Sequence, residues 1–136
     1  MATYTKFNAF VEALAEKKHD LGSDQLVVAL CNAANAPVAT NSVLADLTQI
    51  AYTNLSSRNI KTSTSSQTSG TYSLVLTTPL TLTASGAVAT FRYVVIYNDT
   101  ATNDDLIAFY DYGSDVTMAN TETFAITFGA SLFTLT

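Results

Sequence analysis

Phe91-Arg92-Tyr93-Val94-Val95-Ile96-Tyr97 is the stretch whose reading decides the fold. Strand alternation sends Phe91, Tyr93, Val95 and Tyr97 to one face and Arg92, Val94 and Ile96 to the other. Both faces are apolar enough to be covered, so the segment reads as a central strand. Working outward, Leu106 to Tyr112 follows across the loop Asn98 to Asp105, and Tyr72 to Thr77 and Leu80 to Ala84 precede it. Asp115 to Met118, Glu122 to Phe128 and Ser131 to Thr134 complete a run of short strands, broken by Gly113-Ser114, Ala119-Asn120-Thr121 and Gly129-Ala130.

The N-terminal half has a different rhythm. Phe7, Phe10, Val11, Leu14 and Leu21 recur at helical spacing with Lys6, Glu12, Glu16 and Lys17 between them. An amphipathic helix over residues 5–19 is expected, capped by Thr3 or Thr5 and stopped by Gly22. Gln25 to Asn32 follows as a strand buried on both faces or packed under the helix. Residues 32–41 read as a loop, Asn41 to Leu47 as a short helical turn, and Gln49 to Thr53 as an edge strand. Ser56 to Gly70 is small and polar throughout and reads as a long surface loop or a pair of weak edge strands, the place where mobility is expected. Together these predict one mainly β domain over residues 1–136, an antiparallel sandwich, jelly-roll or immunoglobulin-like, with one N-terminal helix.

Composition narrows the function classes. Of 136 residues 48% are hydrophobic and only 12% charged, which argues against intrinsic disorder. The net charge of −5, with six Lys and Arg in total, disfavours nucleic acid and anionic membrane as partners. The opening segment lacks the pattern of a secretory signal, since Glu12, Glu16, Lys17 and Lys18 interrupt its apolar residues. Cys31, the one cysteine, ends an apolar run and reads as a small buried hydrophobe.

Candidate chemistry is sparse. His19 is the single histidine and is read as a helix-end or exposed residue rather than a catalytic one. Zinc wants several Cys or His ligands, and the chain has one of each. Asp99, Asn103, Asp104 and Asp105 offer hard oxygens for calcium, but without the spacing of an EF-hand they read as a solvated hairpin loop. Paired carboxylates for glycoside hydrolysis among Asp104, Asp105, Asp111 and Asp115 would need a separation that sequence does not set. Phe91, Tyr93, Tyr97, Phe109, Tyr110 and Tyr112 read as core with some hydroxyls at the rim, the exposed tyrosines being good interface anchors. No enzyme, cofactor or metal motif emerges.

The order of segments resembles a family of small virion structural proteins from tailed bacteriophages. The stretches that carry the likeness are Phe10 to Lys17, Leu21 to Leu30, Asn35 to Asn41, Phe91 to Thr100 and Tyr110-Asp111-Tyr112-Gly113. The resemblance implies a particle component made in the host cytoplasm and located in the virion. Among such components a capsid decoration or cement protein fits, one that binds and stabilises the major capsid protein shell as a symmetric trimer or dimer. Tyr97, Tyr110, Tyr112, Asp104 and Asp105 are the candidate interface residues. A tail, connector or fibre component stays open beside it, including a carbohydrate- or receptor-binding module that uses the same tyrosines and the Asp99 to Asp105 loop. An enzyme acting on glycans, with Asp104 and Asp111 as its carboxylates, is the third alternative.

Overall fold

The computed structural model describes residues 2–136. β1 (Thr3–Lys6) leads into α1 (Ala9–Ala15), and β2 (Leu26–Cys31) follows. After 3-10 turns at Ala33–Asn35 and Leu44–Asp46 come β3 (Asn59–Ile60), β4 (Thr62–Thr68), β5 (Thr71–Leu76) and β6 (Leu80–Thr83). β7 (Val88–Asn98) and β8 (Leu106–Met118) form the longest hairpin, followed by β9 (Thr123–Ile126) and β10 (Phe133–Leu135). Every pairing is antiparallel: a five-stranded sheet in the order β1-β8-β7-β2-β3, a three-stranded sheet β10-β5-β4 and a two-stranded sheet β6-β9.

β7 is the middle strand of the five and is covered on both faces. Phe91, however, sits in the larger core and not with Tyr93, Val95 and Tyr97 as alternation predicts, because the register slips between Phe91 and Tyr93. Val94 and Ile96 face the larger core with Val28 and Leu30 of β2, and Leu74, Leu76, Leu82 and Ile126 of the two smaller sheets close over them. The mainly β sandwich expected from the strand rhythm is therefore present. Val95 and Tyr97 face the other way with Val27, Ala29 and Cys31, into a second core filled by Phe7, Leu106 and Phe109 and flanked by Leu44 and Leu47. Every residue of β2 is buried for this reason.

The outer edge of β2 shows how buried backbone is satisfied without a full strand. β3 pairs only with Leu26 and Val27. Beyond it, Val28 N donates to Arg58 O at 3.0 Å and Val28 O accepts from the Arg58 guanidinium. Leu30 N donates to the Tyr52 hydroxyl at 2.9 Å, and Leu30 O accepts from Ile50 N at 3.0 Å. Residues 49–53 thus do the work of the expected edge strand without forming one, a phenol standing in for a carbonyl.

Three other expectations change. The helix is short: Thr3 to Lys6 pair with Asp111 to Ala108 as an edge strand, so neither Thr3 nor Thr5 caps a helix. β-branched Thr3 and Thr5 gain more from a ladder than from a helix turn. α1 ends at Glu16 with Lys17 in the left-handed region (φ 65), not at Gly22, and Val11 is exposed while Leu21 is buried from the connector. Gly113-Ser114 does not break the strand. Two steps along β7, from Tyr93 to Phe91, match five along β8, from Asp111 to Val116, so residues 112–115 bulge outward at Gly113 (φ 93) and the ladder resumes. Of the two readings of Ser56 to Gly70, the structure takes the strands, β3 and β4.

Candidate docking surface

The bulge in β8 sets up the most prominent aromatic feature of the surface. Tyr110 and Tyr112 lie on the same side of the strand by alternation, with Asp111 between them. Asp111 Oδ1 accepts from Gly113 N at 2.8 Å and from Arg92 Nε at 2.9 Å, and Oδ2 accepts from Arg92 Nη2 at 3.2 Å. This two-pronged pair fixes the backbone from which both tyrosines project, and it holds the Asp111 carboxyl below its ordinary range.

Each tyrosine meets a ring from another strand. Tyr110 packs edge-to-face on Tyr4 of β1, with centroids 5.3 Å apart, and Tyr112 does the same with Phe124 of β9 at 5.3 Å. Between them runs an apolar groove of about 150 Å³, floored by Val94 and walled by Tyr110, Tyr112, Phe124 and Ile126. Tyr112 is 45% exposed, so the groove keeps aromatic surface at its rim, and Tyr4, 38% exposed, extends that surface beyond Tyr110. Burial, with Tyr4 beside it, pushes the Tyr110 phenol up to about 12, which leaves a neutral hydroxyl able to donate. The arrangement suits a protein segment with an apolar anchor: rings already locked by their neighbours lose little freedom on contact.

The five residues singled out from sequence do not share one surface. Tyr110 and Tyr112 stand together at the groove. Tyr97 is 5% exposed and points into the second core, because it alternates with Asn98 and Ile96 on a strand covered on both sides. Asp105, at 6%, is buried where β8 begins. Asp104 is half-buried, with a left-handed backbone (φ 53) and a carboxyl raised by partial burial and by Asp99 and Asp105 nearby. Among the described residues no group of three His, Cys, Asp or Glu side chains is placed to hold a metal ion.

Two residues of this aromatic surface escaped sequence reasoning. Tyr4 stands just ahead of the expected helix, between the two threonines offered as its caps, although Thr3-Tyr4-Thr5 is itself a β-type alternation. Phe124 reads as one more strand residue, and only the chain path brings it to Tyr112.

His19 is also placed differently from expectation. It is 6% exposed and neither caps a helix nor faces solvent. Asn98 Oδ1 accepts from Thr100 N and Ala101 N, which orients its amide so that Nδ2 donates to Asp24 Oδ2 at 2.6 Å and to His19 Nδ1 at 2.9 Å. The imidazole is thereby the tautomer with its proton on Nε2, and that buried nitrogen has no partner among the described residues. Burial lowers its pKa, against the pull of Asp105 and Asp24. The network ties the connector after α1 to the β7–β8 loop.

No protein-family model matches this chain, and no curated protein and no solved structure matches it.

Proposed function

We propose that this protein is a virion structural component of the capsid decoration or cement kind, which binds the major capsid protein and reinforces its shell as a symmetric oligomer. The observation that carries the reading is the aromatic groove between β8 and β9: Tyr110, Tyr112 and Phe124 line it, Tyr4 packs on Tyr110 beside it, and Tyr4 and Tyr112 keep their edges in solvent. Aromatic side chains of this kind are enriched where proteins meet proteins. The resemblance of the segment order to small tailed-phage structural proteins supplies the class of partner. A small groove gives a weak single contact, and a lattice of shell subunits multiplies it.

The test is quantitative mass spectrometry and electron microscopy of particles from the source of the sequence. Copies in proportion to the shell protein, spread over the lattice and lost with a Tyr112→Ala, Phe124→Ala double variant, are the expected result. A few copies at one vertex or on the tail would place the chain among connectors, fibres or receptor-binding modules instead. Absence from every particle would overturn the structural reading.

A further inference from the structure

A second surface, remote from the groove in sequence, has a different character. β4 is the outer strand of its sheet and pairs only with β5. No backbone hydrogen bond from Thr64 to Thr68 runs to any other part of the chain among the described residues, so one side of the strand presents free N–H and C=O groups.

Edge strands are usually guarded by charge, proline, brevity or a bulge. The other edges of this fold are short, β6 and β9 having four residues each. β1 is four residues long and ends on Lys6, β3 is two residues long between Arg58 and Lys61, and β10 has three residues. β4 has seven, holds neither charge nor proline, and its one irregularity lies between Thr62 and Thr64. Thr64 to Thr68 is regular and exposed.

Charge points to the occupant. The chain carries −5 overall, so two copies repel over most of their surface. Between Lys61 and Arg92 there is no charged residue and no histidine. Beside Ser65 lie Lys17 and Asp20, whose charges offset each other, so the β4 edge brings no net charge to a second copy, and an antiparallel strand edge is complementary to itself across a two-fold axis.

We infer that β4 is a self-association edge: two copies pair antiparallel along Thr64 to Thr68 about a two-fold axis at Ser66, joining their three-stranded sheets into one. Ser66 then lies opposite Ser66 of the second copy and Thr64 opposite Thr68. Ser65 Oγ is held at 2.8 Å by the Tyr72 hydroxyl, which leaves Ser66 on the opposite side of the strand and free to face its counterpart. Exposed hydroxyls at such positions satisfy one another across the strands. Five residue pairs make a small contact, so association is concentration-dependent and strengthens where copies are already held side by side.

Disulfide trapping and sedimentation velocity on the whole chain test this. Cys31 is buried, so an introduced cysteine is the reactive one. Ser66→Cys is expected to form intermolecular disulfide faster than Val38→Cys, an exposed site elsewhere. Wild type is expected to show a dimer that rises with concentration, Ser66→Lys to remain monomeric with an unchanged melting temperature, and Tyr112→Ala to dimerise as wild type does. Trapping at position 66 no faster than at 38, or a dimer that survives Ser66→Lys and vanishes with Tyr112→Ala, would overturn the inference. The inference stands apart from shell docking, since absence from particles would leave the trapping result unchanged.

Discussion

Tyr52→Phe removes a single oxygen and tests how the outer edge of β2 is sealed. The hydroxyl accepts from Leu30 N at 2.9 Å and donates to Gln49 Oε1 at 2.6 Å. Leu30 is fully buried, and the ring of Tyr52 lies under the Arg58 guanidinium at 3.6 Å from its centroid. Phenylalanine keeps the ring and the stacked cation but leaves the Leu30 N–H without an acceptor. A buried donor left unpaired costs about 1–3 kcal/mol, and the middle of that range, about 2 kcal/mol, is expected here. At about 2.1 cal/mol/K per residue, unfolding a chain of this length carries about 0.29 kcal/mol/K, so the melting temperature should fall by about 7 °C. Tyr72→Phe is the control, because its hydroxyl meets Ser65 at an exposed position and its loss should change stability by less than about 0.5 kcal/mol. Calorimetry with urea titration reads both, and the urea slope should not change. A Tyr52→Phe protein no less stable than Tyr72→Phe would refute the view that this phenol replaces a strand carbonyl.

Three further outcomes follow from the same packing. His19 is buried in its neutral form with a pKa below its ordinary 6.5, so the unfolded chain binds the proton more readily. Stability should be level above about pH 6.5 and fall as pH drops from there towards the folded value; His19→Gln, which still offers Asn98 an acceptor, should flatten that slope in urea midpoints. An equally steep slope in the variant would assign the effect to other groups. Phe7→Ala should destabilise by about 3–5 kcal/mol, because Phe7 is fully buried 5.0 Å from the Phe109 ring. Val11→Ala, on the same face of the helix by sequence but exposed, should stay within about 0.5 kcal/mol in the same denaturation assay. Burial pushes the Cys31 thiol up to about 11, so a thiol reagent should label the protein only once denaturant unfolds it, and rapid labelling of the native form would contradict its placement.

Local chemistry settled much of this architecture. The two apolar faces of Phe91 to Tyr97 and the unbroken run Leu26 to Cys31 demand strands covered on both sides, and both are found at the centre of the main sheet. Tyr110 and Tyr112 were among the candidate interface residues named from sequence, which is the legible half of the candidate surface. The segment from Thr3 to Leu14 shows where local rules stop. Helical spacing and β-branching competed there, and pairing with β8 decided for a strand up to Lys6 because that edge supplied hydrogen bonds a helix turn could not match.

Burial was the other quantity that sequence left open. Tyr97 and Asp105 carry the same chemistry as Tyr112 and Asp104, yet both are inside: the second core, filled by Phe7 and Phe109, closes over Tyr97, and Asp105 is buried on the side of His19. Phe124 joins the groove, and His19 meets Asn98 across 79 positions, only through the chain's path in space. Amino-acid sequence by itself determined the central strands and that their faces must be covered, since both follow from side-chain period and polarity within a few residues. Tertiary structure alone decided what covers them, which aromatics remain at the surface, and which strand edge stays open, because each depends on contacts between residues far apart along the chain.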